Sequence, residues 1–162
     1  MKIIVISDTH IPERAKGLPE ELLKAFKEAD MIIHAGDFAD LSILEEIKGT
    51  GKTVVAVAGN MDHDEIKELL PEKEIIGVEK FRVGVMHGWG APANLLQLLE
   101  EAFKNDRVDL VIFGHSHKAF NEKKGNILYF NPGSPTDQIF SPFNSYGIIE
   151  INDKIEAKII KI

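Results

Sequence analysis

The stretch KIIVISDTH, residues 2–10, decides the reading of this chain. Ile3, Ile4, Val5 and Ile6 are four consecutive β-branched residues, the signature of a strand buried on both faces. Asp8 and His10 follow directly. On a strand, or in the turn after it, residues two apart can point the same way, so both side chains could reach one ion. Asp8 as a turn or cap residue, with His10 exposed in a loop, explains this stretch equally well taken alone.

The same pattern recurs down the chain. The run MIIH (31–34) leads to Gly36-Asp37, and TVVAVA (53–58) to Gly59-Asn60. The run FRVGVM (81–86) leads to His87-Gly88, and DLVIF (109–113) to Gly114-His115-Ser116-His117. Each motif has an ordinary structural reading. Gly36-Asp37 fits an Asx-turn, Asn60 tolerates turn conformations, and a lone histidine such as His87 often serves packing. His115 and His117 carry more information, since two imidazoles two residues apart on extended backbone project to one side. Recurrence decides between these readings. Packing alone gives no reason for five such motifs in one small chain. His34 lies inside a strand, where a supporting role suits it better than ligation. Asp62 is placed to orient the loop after Asn60 by side-chain-to-backbone bonding.

Bulk properties narrow the classes. A chain of 162 residues is expected to form one domain, 1–162. No cysteine is present, so thiolate sites and disulfides are excluded and oxygen and nitrogen ligands remain. The formal net charge of −7 argues against an extended nucleic-acid surface. No apolar run approaches the ~20 residues of a membrane span, and the N-terminus reads as a strand, not a leader. A cytoplasmic location is the expectation.

The element pattern is α/β. Strands are expected at 2–7, 31–34 and 53–58, with helices at 19–29, 41–48 and 63–70 between them. A hairpin over 74–78 and 81–86, turning at Glu79-Lys80, precedes a helix at 93–104 and a strand at 109–113. Short strands near 118–122, 126–130, 145–151 and 155–161 complete the chain. The βαβ start predicts parallel strands with the functional residues at their carboxyl ends.

Asp8-x-His10, Gly36-Asp37, Gly59-Asn60, His87 and Gly114-His115-x-His117 together resemble the calcineurin-like metallophosphoesterase superfamily. With Asn131-Pro132-Gly133-Ser134 they are similar to its small bacterial and archaeal phosphodiesterase branch, to which the retromer scaffold subunit is related. The resemblance implies two mixed β-sheets packed as a sandwich and flanked by helices. It implies two divalent ions, Mn2+ by preference, with Ni2+, Co2+, Fe2+ or Zn2+ also suited to the donor set. Asp8, His10, Asp37 and His117 would hold the first ion, and Asp37, Asn60, His87 and His115 the second. A hydroxide between the ions would attack a small phosphodiester. Asp37 and Asn60 would then sit at the reacting phosphate, with Asn131 and Ser134 meeting the substrate alongside Asn60.

One departure matters. Many members carry a histidine directly after the asparagine, whereas this chain has Met61, whose thioether donates no proton. His63 is a candidate replacement, although it also fits a helix start. A non-catalytic protein-binding scaffold on the same fold is the competing reading, and a homodimer is a candidate assembly. Trp89, beside His87, belongs either to the cleft or to the core.

Overall fold

Along β1 (Lys2–Ile6) the apolar side chains divide between two interfaces. Ile4 and Ile6 join one buried cluster with helical residues, whereas Ile3 and Val5 join another between sheets. Strand alternation produces this division, and it is why the sequence shows an unbroken apolar run.

The computed structural model describes all 162 residues. After β1 come α1 (Glu20–Lys27), β2 (Met31–His34), α2 (Leu41–Lys48), β3 (Thr53–Ala56) and α3 (Asp64–Leu69). The second half holds β4 (Lys73–Val78), β5 (Phe81–Met86), a 3-10 turn at Pro92–Asn94 and α4 (Leu95–Phe103). Strands β6 (Leu110–Ile112), β7 (Phe120–Lys124), β8 (Ile127–Asn131), β9 (Ser145–Ile151) and β10 (Ile155–Lys161) follow. These bounds agree with the sequence reading to within a few residues. β3 ends at Ala56, two residues earlier than expected, because the chain already turns towards Asn60.

Two five-stranded sheets result, ordered β10-β9-β1-β2-β3 and β4-β5-β6-β8-β7. Both are mixed. β1, β2 and β3 run parallel, with β9 antiparallel to β1. β5, β6 and β8 run parallel, flanked by antiparallel β4 and β7. The sheets face each other through Val5, Ile33, Val85, Leu110, Ile112 and Phe130. Leu22 and Phe26 of α1, with Ile43, Leu44 and Ile47 of α2, cover the outer face of the first sheet. Leu95, Leu99 and Phe103 of α4, spaced four apart on one helix face, cover the second. The expected helix-flanked sandwich is therefore the fold observed. No helix is long and apolar enough to cross a membrane.

Phe130 is fully buried where the two sheets meet. A Cβ at Gly147 would lie 2.4 Å from its Cε1, so Gly147 makes the space that the ring fills. Phe130→Ala removes the ring from a site unable to collapse fully, and is expected to cost about 3–5 kcal/mol. Urea denaturation of the two proteins measures it, with the loss appearing as a lower midpoint.

Candidate metal centre

The carboxyl ends of the parallel strands in both sheets meet at one place. The first sheet sends Asp8 and His10 from the end of β1, Asp37 from beyond β2, and Asn60 from beyond β3. The second sends His87 from the end of β5, with His115 and His117 from the loop after β6. All five motifs are thus brought together, and the sheet packing sets the distances between the two halves.

Two groups of potential ligand atoms stand out. Asp8, His10 and His117 form one, and Asp8, Asp37 and His87 the other. His117 Nε2 lies 3.3 Å from Asp8 Oδ1 and 3.3 Å from His10 Nε2. Asp37 Oδ2 is 3.5 Å from His10 Nε2 and 3.1 Å from His87 Nε2, so it faces both groups. Asp8 Oδ1 also lies 3.7 Å from His87 Nε2. Asn60 and His115 stand beside these groups, with Asn60 Oδ1 3.0 Å from His115 Nδ1.

Three of the imidazoles have their tautomers set from behind. His87 Nδ1 donates to the Ala35 carbonyl at 2.7 Å, and His115 Nε2 to the Gly90 carbonyl at 2.7 Å. His117 Nδ1 donates to Asp137 Oδ2. In a neutral ring the other nitrogen then presents a lone pair to the centre. Lone pairs consequently face one another, as between His115 Nδ1 and Asn60 Oδ1. His87 Nε2 is buried with no hydrogen-bond partner, since nearby Asp37 Oδ2 lies out of line for one. A buried polar atom left unpaired beside two carboxylates fits a missing cation. Nitrogen and oxygen donors in this mixture suit a divalent transition metal.

The charges agree. Burial alone would push the His87 pKa down, but the Asp8 and Asp37 carboxylates outweigh burial and raise it to about 9. Burial pushes the Asp37 carboxyl up, yet the His87 ring 3.1 Å away, with its charge, and the Met61 amide hold it below its ordinary value. A proton on His87 thus takes part of the place of a metal charge.

The backbone explains how the donors converge. Five of the seven candidate ligands have positive φ: Asp8 at 55°, His10 at 42°, Asp37 at 60°, His115 at 68° and His117 at 56°. Asp and His tolerate this region better than most residues. The His-x-His pair is therefore not extended, as its spacing had suggested. A left-handed turn at each residue sends the two rings to different partners, His115 to Asn60 and His117 to Asp8. Gly59 answers a steric demand at the same place, because a Cβ there would meet Asp37 Oδ1 at 2.0 Å.

Buried polar groups hold these turns. Asp62 accepts the amides of Asp37, Phe38, Ala39 and Gly59 at 2.6–3.0 Å, the orienting part expected of it. His34 accepts the Gly36 amide and faces the Thr9 hydroxyl at 3.1 Å, stacked on Phe38. Asn131 and Ser134 are fully buried. Asn131 Nδ2 donates to the Gly114 carbonyl at 2.8 Å, and Ser134 Oγ to the Asp8 carbonyl at 2.7 Å. Their side chains therefore point into the protein, where a substrate phosphate had been expected to meet them. Asp137 escaped the sequence reading, because no strand-end pattern marks it. Thr136-Asp137 after the Asn-Pro-Gly-Ser turn was its only signal. Exposed His63 precedes α3 and lines neither cavity beside the centre.

A model of the calcineurin-like phosphoesterase superfamily domain matches residues 1–154. The chain belongs to this superfamily, whose members are metal-dependent. A probable metallophosphoesterase of Methanocaldococcus jannaschii is 42% identical over 163 residues, spanning 100% of this chain and 82% of the relative. A phosphodiesterase of the same organism is 30% identical over 146 residues, spanning 82% of this chain and 83% of its own. Among solved structures, Entamoeba histolytica Vps29 complexed with zinc matches with a TM-score of 0.77 at 25% identity, covering 99% of each chain.

Two outcomes follow from the geometry. Asp137→Asn leaves the His117 ring poorly oriented and is expected to weaken metal binding 10–100-fold, measured by competition with a chromogenic chelator. The raised pKa of His87 stabilises the metal-free protein fully below about pH 6.5, and this contribution is lost as pH rises through about 9. Thermal melts of chelator-treated protein should therefore fall across that window. Added divalent metal should raise the melting temperature more at pH 9 than at pH 6.5, because less proton competes for the ring.

Proposed function

We propose that this protein is a metal-dependent phosphodiesterase acting on small diesters. The observation that supports this best is the inward-facing set of lone pairs, with His87 Nε2 buried and unpaired between two carboxylates. In this reading Asp8, His10, Asp37 and His117 would hold one divalent ion and Asp37, Asn60, His87 and His115 the other, with Mn2+ the first ion to test. Such a pair supplies Lewis-acid polarisation of the phosphoryl oxygens and water of lowered pKa. Asp37 would contribute to both positions, and its Oδ1 accepts the Met61 amide at 2.8 Å.

The other residues position and exclude. Asp62 and His34 hold the backbone that aims the donor atoms, and Asp137 sets the tautomer of His117. Asn131 and Ser134 brace the Gly114 and Asp8 backbones from inside. Met61 is exposed at the mouth of the centre and offers no proton. His63 lines neither cavity, so in this reading it does not take the part of the missing histidine. Departure of the leaving oxygen then depends on its own acidity, and aryl diesters should react fastest.

The likeness to Vps29 favours a second reading, a protein-binding scaffold without catalysis. One experiment separates the two. Metal-stripped protein is assayed on an aryl phosphodiester before and after adding Mn2+, with Asp37→Ala in parallel. The enzyme reading expects turnover restored by metal and reduced by ~10²–10³-fold or more in the variant. Metal binding without turnover would support the scaffold.

A further inference from the structure

Two cavities open beside the metal centre, of about 330 and 350 Å³. Asn60 lines both, and they share no other residue. The first reaches His87, and the second reaches His10, Asp37, His115 and His117. They therefore meet at the donor cluster and diverge from it.

Their walls match in kind. The first carries Trp89 with Lys67 and Glu72, and the second carries Phe140 with Arg14 and Glu13. Outside the donor cluster, each thus has one large aromatic side chain and one charged residue of each sign. Trp89 is 51% exposed and Phe140 59%, well above what core packing would leave. Phe140 is also held in place. Its amide and that of Ile139 donate to Asp137 at 3.2 and 2.9 Å, and the Arg14 guanidinium carbon sits 5.3 Å from its ring centroid. Arg14 Nε is buried and faces Asp137 Oδ1 at 3.9 Å, which fixes the guanidinium beside the ring. Exposed, ordered aromatic rings beside a polar centre are binding surfaces for planar groups. Outside the donor cluster neither wall carries a surplus of positive charge, so neither selects a further anionic group.

Resting on the phosphodiesterase reading, we propose that the cleft takes an open-chain diester carrying planar, uncharged groups on both ester oxygens. One group packs on Trp89 and the other on Phe140. A monoester fills one cavity only. Trp89 and Phe140 are then specificity residues that act on substrate binding.

The test compares Mn2+-loaded wild type, Trp89→Ala and Phe140→Ala on bis(4-nitrophenyl) phosphate and on methyl 4-nitrophenyl phosphate. Each substitution should raise KM for the bis-aryl ester roughly three- to tenfold, with a smaller change in kcat. The methyl ester, with one planar arm, should respond to only one of them. Bis-aryl KM values unchanged within about twofold in both variants, or equal effects on the two esters, would overturn the proposal. Failure of the parent reading is distinguishable, because wild type would then turn over neither ester. In that case Trp89, the single tryptophan, reports directly by fluorescence. Saturable quenching by bis(4-nitrophenyl) phosphate that weakens in Phe140→Ala keeps the two-armed cleft, and absence of saturable quenching removes it.

Discussion

A buried crowd of lone pairs is the constraint on which this structure turns. Asp8 Oδ1 and Asp37 Oδ2 share one small space with ring nitrogens of His10, His87 and His117. Without a cation such a set is unfavourable, because acceptors face acceptors and buried charge lacks a counter-charge. The raised pKa of His87 is the protein's partial answer, as a proton supplies some of the missing positive charge. The fold has to hold this arrangement against its own repulsion.

It does so by dividing the donors between two rigid sheets. Asp8, His10, Asp37 and Asn60 belong to the first sheet and His87, His115 and His117 to the second. Neither sheet has a complete set. The apolar interface containing Val5, Ile33, Val85 and Phe130 brings them together, so the centre exists only when the sandwich is packed. Each left-handed turn at the five positive-φ ligands costs of order 1–3 kcal/mol, less for Asp and His than for bulkier residues. Such turns persist where surrounding bonds over-determine them. Asp62 with its four amides, Ser134 on the Asp8 carbonyl and Asn131 on the Gly114 carbonyl supply those bonds. Their hydrogen-bond demands are met inside the protein, which suits braces better than groups that exchange partners with a ligand.

Around this rigid centre the rim has a different character. Met61, Trp89 and Phe140 are exposed, and outside the donor cluster each cavity wall carries one residue of each charge. A chain of net charge −7 thus presents a locally balanced, partly apolar mouth. The polar interior governs what the centre can hold, and the rim governs what can approach it.

Much of this was legible in the residues themselves. Unbroken apolar runs, separated by amphipathic stretches, located the strands and helices, because local patterning and burial follow the same geometry. The strand-end motifs named all seven candidate ligands, since their residue types are unusual there and recur. Other features had no local signature. The left-handed backbone at His115 and His117 overrode the extended geometry that their spacing suggested. Asn131 and Ser134 lay in a turn whose composition suited a phosphate contact, yet their side chains turned inward. Asp137 carried no strand-end pattern, and Trp89 was equally readable as core. In this protein the sequence by itself determined which atoms are available as donors and which segments are strand or helix. The tertiary structure alone decided which donors share a space, which groups aim them and which aromatics stay exposed. Those outcomes depend on contacts between residues far apart in the chain, such as Asp8 with His117 and Asp37 with Asp62, whose distances are set only when the two sheets pack.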